Sequence, residues 1–289
     1  MILSLIKLAR PHHYVKNILV FAPLFFSGMM LNEVKFLSSL YAFVFFSLAA
    51  SSIYILNDLM DVNEDRQHPK KKHRPLASGA IGKLTAVIAM IALLVTSISG
   101  SVFISHSVGM LVIIYVAVNI LYSIWLKHIA ILDVSLIGVG FVLRVFVGTE
   151  AIQSQTSMWI VLMTFLLALF LAFAKRRDDV LLQNDGEKVR KNIDGYNLEF
   201  INAAMSIMAG VVLVAYILYT VSDEVIIRLN TENVYLTVFF VILGIFRYLQ
   251  ITFVEERSGS PTKTLYSDVF IQLTISCWIA SFGFLIYFN

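Results

Sequence analysis

The chain predicts an all-α integral membrane protein of about nine transmembrane helices, on three observations. Of its 289 residues, 58% are hydrophobic and only 14% charged, where a soluble domain carries about 25% charged residues. So little polar surface cannot cover a water-soluble globule. Apolar runs of membrane length recur along the chain, without the strict alternation of barrel strands. Basic residues gather on one side of those runs. The net charge of +3 and the lack of a basic stripe with interleaved aromatics argue against nucleic acid. The single cysteine, Cys277, excludes an intramolecular disulfide or a cysteine metal cluster. No repeat or low-complexity segment divides the chain, so residues 1–289 read as one membrane domain of open oligomeric state.

The runs fall at 17–34, 38–56, 84–104, 107–125, 129–149, 157–174, 200–222, 234–254 and 267–288. The first follows Lys7, Arg10 and Lys16, is interrupted by Pro23 and Gly28, and lacks a small-residue cleavage site, so it is expected to be retained as a helix. With a cytoplasmic N-terminus and nine spans, eighteen Lys and Arg face inward. Only Lys35 and Arg228 face outward, while Arg144 and Arg247 lie inside apolar runs. This bias predicts a multi-pass protein of the cytoplasmic membrane with both charged loops, 57–83 and 175–199, on the cytoplasmic face.

The first loop carries the chemistry. Asp58, Asp61 and Asp65 are spaced i, i+3 and i+7, which places them on one face of a helix that no Gly or Pro interrupts before Pro69. Three carboxylates on one face repel unless a cation lies between them. Mg²⁺ suits such a set, because it combines one or two carboxylates with substrate phosphates. Asn57 and Asn63 add amide oxygens, and the bases of the Lys70–Arg74 run can neutralise phosphate. Acids are not needed for membrane orientation, so a topogenic loop explains the bases alone. The second loop begins Lys175-Arg176-Arg177-Asp178-Asp179 and continues to Arg190, Lys191, Asp194 and Tyr196. It mirrors the first and is expected to supply the second half of one pocket. Arg144 and Arg247 are costly at membrane depth and are expected to face a polar cavity, the alternative being a pair with an acid such as Asp133 or Glu150. His12, His13, His68 and His73 read as polar loop residues.

Asn57-Asp58-x-x-Asp61-x-x-x-Asp65 resembles the first aspartate-rich motif of the UbiA-type intramembrane prenyltransferases. Within that family, one branch, the polyprenyl-phosphate phosphoribosyltransferases, is similar over nearly the whole chain. The similarity rests on Arg10-Pro11-x-x-Tyr14-Val15-Lys16-Asn17; Asp65-Arg66-x-His68-Pro69; Arg74-Pro75; Ser78-Gly79; Tyr122-Ser123 through Lys127-His128; and Leu132-Asp133. It continues through Gly140 to Arg144, Lys175-Arg176, Arg190-Lys191, Tyr196, Arg247-Tyr248, and Gly259 to Thr262 with Asp268. The wider family shows a second Asp-x-x-x-Asp motif where this chain has adjacent Asp178 and Asp179. The branch carries Tyr and Glu where Arg177 and Asp179 stand.

The resemblance implies a nine-helix bundle with a cytoplasmic-side polar cavity and Mg²⁺-dependent transfer of 5-phosphoribose from phosphoribosyl diphosphate to a polyprenyl phosphate. It makes Asp58, Asp61 and Asp65 metal ligands and Asp179 a catalytic partner. It assigns substrate binding to Lys16, Asn17, Asn57, Arg66, Lys72, Arg74, Tyr122, Lys127, Arg144, Lys175, Arg176, Arg190, Tyr196 and Arg247. The nearest rival is transfer of an isoprenoid from its diphosphate to an aromatic or other acceptor. The surplus of Lys16, Arg144, Lys175, Arg176 and Arg247 favours the more heavily phosphorylated pair of substrates. A lipid transporter is disfavoured by the lack of a repeat and by acids concentrated on one side.

Overall fold

The computed structural model describes residues 2–67, 71–184, 195–256 and 261–288, all helix and connection with no strand among them. The helices are α1 (Ile2–Ala9), α2 (Ala22–Phe26), α3 (Glu33–Met60), α4 (Val62–Gln67), α5 (Lys83–Ile104), α6 (His106–Ile124) and α7 (Leu132–Ala151). They continue with α8 (Met158–Asn184), α9 (Leu198–Thr220), α10 (Asp223–Leu229), α11 (Val238–Phe253), α12 (Pro261–Ser267) and α13 (Val269–Tyr287). Short 3-10 segments lie at Pro11–Phe21, Lys71–His73, Leu126–His128 and Asn233–Thr237. Four of the long helices, α3, α6, α9 and α13, start at polar caps. Asn32, Ser105, Asn197 and Asp268 accept a hydrogen bond from the backbone N–H three residues on, at 3.1, 3.1, 2.7 and 2.9 Å. Each satisfies one of the donors a helix leaves open at its N-terminus.

Eight helices among the described residues are long and apolar enough to cross a membrane. They correspond to the second through ninth expected spans. The first expected span, 17–34, is not a continuous long helix. It is divided among the 3-10 segment, α2 and a turn at Gly28, whose φ is 72°. Pro11 and Pro23 remove backbone donors at the starts of the first two pieces, and Gly28 takes the left-handed conformation that ends the third. The expected unbroken acidic helix also divides. α3 ends at Met60, Asp61 takes φ −92° and ψ 6°, and α4 restarts at Val62.

The chain divides into two compact units, Met1–Trp125 with Gly140–Ser157, and Leu126–Val139 with Met158–Asn289. In the first unit α3 is the central element, packed on α5, α6, α1 and the Pro11–Phe21 segment. Small polar side chains, not large apolar ones, fill many of its contacts. Ser97 of α5 donates to the Phe45 carbonyl of α3 at 2.7 Å, and Asn17 donates from Nδ2 to Ser47 at 2.9 Å. Tyr14 and Ser51 pair their hydroxyls at 2.8 Å. Large apolar residues instead cover the outside, as with Phe103 at 92% exposure. Small residues inside and apolar residues outside are the pattern of helices packed in lipid. The second unit packs α8 on α9 and α11 on α13 around Val134, Phe170, Phe173, Met205, Val212 and Tyr248.

One glycine fixes the path of the N-terminal segment. A Cβ on Gly148 of α7 would lie 2.0 Å from the Val20 carbonyl oxygen, so backbone meets backbone there. Gly148→Ala is expected to lower stability by about 1–3 kcal/mol through overpacking. Gly210→Ala, in α9 with open space around its Cβ position, is expected to leave it equal or raise it by up to about 1 kcal/mol. Thermal unfolding of the detergent-solubilised protein measures both, and an equal loss in the two variants would overturn the distinction.

Candidate active site

Four segments of the first unit converge on two buried carboxylates. Asp58 comes from the last turn of α3 and Asp65 from α4, each 2% exposed. Arg74, just past the Lys71–His73 turn, donates from Nη1 to Asp65 Oδ2 at 2.6 Å and to Asp58 Oδ1 at 3.1 Å. Arg10 donates from Nη2 to the same Asp58 Oδ1. The repulsion expected among the acids is thus relieved by guanidinium groups, which meet carboxylates with charge-assisted hydrogen bonds. Asp58 Oδ2 is buried and has no hydrogen-bond partner among the described residues. Beside it lies a cavity of about 290 Å³ lined by Lys7, Arg10, His12, His13, Asp58, Arg74 and Pro75. Burial pulls the Arg10 guanidinium below its ordinary pKa, with Asp58 opposing and Arg74 adding to the shift.

These residues fit a divalent cation brought with phosphate. No group of three His, Cys, Asp or Glu that could hold a metal gathers among the described residues. A cation here must therefore take oxygens from a ligand as well, which is the habit of Mg²⁺. The open Asp58 Oδ2 is a ligand of the right chemistry, and the cationic cavity wall suits the phosphate oxygens that would complete the shell.

A second cationic cluster in the same unit lacks an acid. Arg144 is 5% exposed. Its Nε donates to Asn17 Oδ1 at 2.8 Å, Nη1 to the Gly140 carbonyl at 2.6 Å, and Nη2 to Tyr115 Oη at 3.4 Å. The guanidinium carbon lies 5.0 to 5.2 Å from the ring centres of Phe46, Tyr115 and Phe141, a cation–π cage. Glu150 of the same unit does not pair with it among the described residues. Lys16, half-buried, precedes Asn17 on the same 3-10 segment.

In the second unit Arg176 and Arg247 are paired with acids, and Arg176 is sealed as well. Arg176 is fully buried. It donates from Nε to Asp133 Oδ2 at 2.7 Å and from Nη1 to Asp179 Oδ2. Tyr196 donates to Asp133 Oδ1 at 2.6 Å and accepts from the Ile131 N–H at 2.6 Å. Burial and the Asp133 hydrogen bond raise the Tyr196 phenol well above its usual value. Arg247 donates to Asp268 Oδ2 at 2.6 Å, and to Glu255 and Gln250 at 2.7 Å each. The Arg247 bond holds Asp268 below the usual carboxylate range.

Of the other residues singled out in the sequence, Asp61, Asn57, Tyr122 and Lys127 are half-buried, while Lys72, Arg66 and Lys175 are exposed. Arg66 Nε donates to the Ala77 carbonyl at 3.4 Å. Arg190 lies outside the described residues, as do His68, Pro69, Gly259 and Ser260. The cavity adds Lys7, Arg10, His12 and His13, to which the sequence alone assigns no site role. Their signal was the need for bases to neutralise buried acids.

Eight membrane-length helices among the described residues define a multi-pass membrane protein, and its first unit holds a cavity beside a carboxylate–guanidinium cluster. The model of the UbiA prenyltransferase family matches residues 20–278, and the chain belongs to that family. It is 31% identical to the decaprenyl-phosphate phosphoribosyltransferase of Mycolicibacterium smegmatis, over 99% of this chain and 93% of that protein. It is 29% identical to that of Mycobacterium tuberculosis strain H37Rv, over 98% and 94%. Among solved structures, a UbiA homolog from Archaeoglobus fulgidus bound to DMAPP and Mg2+ shares the fold with a TM-score of 0.72. It is 19% identical, with 98% of each chain covered. The chain is thus a transferase enzyme of the membrane.

Asp133→Ala is expected to cost about 3–5 kcal/mol of stability, because it removes one of the two carboxylates on buried Arg176 and the acceptor of the Tyr196 hydroxyl together. Thermal or denaturant unfolding in detergent measures this. A loss under about 1 kcal/mol would mean that the Asp133 cluster is not structural.

Proposed function

We propose that the enzyme transfers 5-phosphoribose from phosphoribosyl diphosphate to a polyprenyl phosphate, with Mg²⁺ as cofactor and pyrophosphate as the leaving group. The observation that carries this is the cationic cavity beside Asp58: two arginines, a lysine and two histidines face one carboxylate with an open oxygen. Such a surplus suits a donor bearing a diphosphate and a further phosphate. The relatives named decaprenyl-phosphate phosphoribosyltransferase, matched over nearly their full length, support the same substrates. The Archaeoglobus fulgidus homolog bound to DMAPP and Mg2+ supports the metal.

In this assignment Asp58, through Oδ2, and Asp61 hold the cation, with Asp65 keeping Arg74 in place. Bound there, Mg²⁺ neutralises the charge that develops on the departing pyrophosphate. Arg74, Lys72 and Arg66 receive donor phosphate oxygens, and Asn57 orients the shell. Lys16 meets an anionic phosphate, with Asn17 and Arg144 holding the electrostatic field around it. Tyr122, Lys127, Lys175, Asp179 and Arg190 are assigned to substrate on the resemblance alone. Arg176, Tyr196 and Arg247, engaged with acids, act by positioning. The ribose C1–O bond to pyrophosphate breaks and a C1–O bond to the lipid phosphate forms. That nucleophile is already anionic, so positioning and charge stabilisation suffice without a strong general base.

The test is conversion of labelled phosphoribosyl diphosphate and polyprenyl phosphate to lipid-linked ribose phosphate in membranes, with and without Mg²⁺. Product should require both substrates and the metal, and Asp58→Asn should lose about a hundredfold or more in turnover. Product from a prenyl diphosphate donor instead would overturn the assignment.

We further propose that the cavity faces the cytoplasm. A 3-10 segment rises about 2 Å per residue, so Pro11–Phe26 reaches roughly 30 Å and serves as the first crossing. In a Cys277→Ser background, Leu31→Cys should react with an impermeant maleimide on intact cells. Ser78→Cys should react only after permeabilisation, and the reverse result sinks the orientation.

A further inference from the structure

Arg10 is placed at a cost that folding alone does not explain. It has φ 53° and ψ 55°, a left-handed conformation uncommon for a residue with a Cβ. It also precedes Pro11, and that neighbour restricts its backbone further. The turn so formed carries the side chain from the end of α1 onto Asp58 and over the Tyr54 ring, 5.5 Å from its centre. Strained backbone that aims a charged side chain into a cavity is a feature of sites.

The pairing is lopsided. Asp58 Oδ1 takes both Arg10 and Arg74, while Oδ2 takes neither. Arg74 has a second carboxylate, Asp65, at 2.6 Å. Arg10 has an ion pair with Asp58 alone among the described residues. The Arg10 side chain is 18% exposed and lines the cavity. Arg176 in the second unit, at 1%, is sealed from any ligand. A cation on Asp58 Oδ2 shares the carboxylate with, and repels, both guanidiniums at Oδ1, one of which keeps another acid and one of which does not.

We infer that Arg10 exchanges ligands: it holds Asp58 in the metal-free protein and passes to diphosphate oxygens when the carboxylate takes the metal. This rests on the diphosphate assignment above. Arginine is suited to the exchange, because its planar fork matches carboxylate and phosphate equally. Before the exchange Arg10 competes with the metal. After it, Arg10 adds charge-assisted hydrogen bonds to the diphosphate. Metal and diphosphate then assist each other's binding, and each binds weakly alone. The coupling belongs to Arg10, and Arg74 remains the fixed member through Asp65.

The test needs neither ribose nor lipid. Full-length protein in detergent is titrated calorimetrically with Mn²⁺ alone, and with pyrophosphate at saturating Mn²⁺. Arg10→Gln should bind Mn²⁺ alone about fivefold or more tighter, and pyrophosphate about tenfold or more weaker, within the usual range of coupling between sites. Arg10→Lys, which keeps the charge and loses the fork, should shift in the same directions by less, and it carries the test if the glutamine variant does not survive extraction. Both affinities falling together would make Arg10 a structural brace and overturn the exchange; so would no change in either. If the wild-type protein shows no Mn²⁺-dependent pyrophosphate binding, the diphosphate assignment itself falls.

Discussion

The first unit is organised by the need to neutralise Asp58 and Asp65 where water does not reach them. A buried carboxylate is tolerated only when it is paired and hydrogen-bonded. Meeting that demand fixes four chain segments at once: the turn after α1 that carries Arg10, the end of α3, the start of α4, and the stretch past the Lys71–His73 turn that carries Arg74. Asp61 sits where α3 gives way to α4, and the break lets both acids reach Arg74. Neutralisation is incomplete on one side only, at Asp58 Oδ2, and that side adjoins the cavity.

The two units use the same residue types to opposite effect. Arg176 has carboxylates on two of its nitrogens and almost no exposure, so its charge is spent inside the fold. Arg144 has no carboxylate and is stabilised by neutral oxygens and three aromatic faces. Its charge is therefore not cancelled by an anion among the described residues. A cation with neutral partners exerts a field, and a cation with anionic partners gives rigidity. This difference separates the residues suited to drawing in phosphate from those suited to holding helices.

The class of fold was legible from composition and from the spacing of apolar runs, because lipid imposes helices of a set length. Asp58 and Asp65 were legible as candidate site residues because nothing about membrane insertion calls for acids. Their partners were not. Arg10 lies 48 residues from Asp58 in sequence and resembles any other N-terminal base. The second loop was legible only in part. Its Lys-Arg-Arg-Asp-Asp run looks like a ligand-binding motif. Which of its charges are sealed depends on Asp133, 43 residues upstream of Arg176. The first expected span failed as a long helix for a local reason: Pro23 and Gly28 interrupt a run whose apolar character alone fitted a helix.

The 3-10 form of Pro11–Phe21 has a geometric consequence for how it lies along α3. Three residues of 3-10 helix advance about 6 Å, and four residues of α-helix advance about 6 Å as well. Tyr14 meets Ser51 and Asn17 meets Ser47, a step of three on one element against four on the other. The next step brings Val20 to the level where Phe21 touches Phe43. The two elements are commensurate, like rulers with matching ticks. One residue inserted between Tyr14 and Asn17 would throw every later pair out of phase, including the Asn17 hold on Arg144. The length of this segment is therefore as constrained as its chemistry.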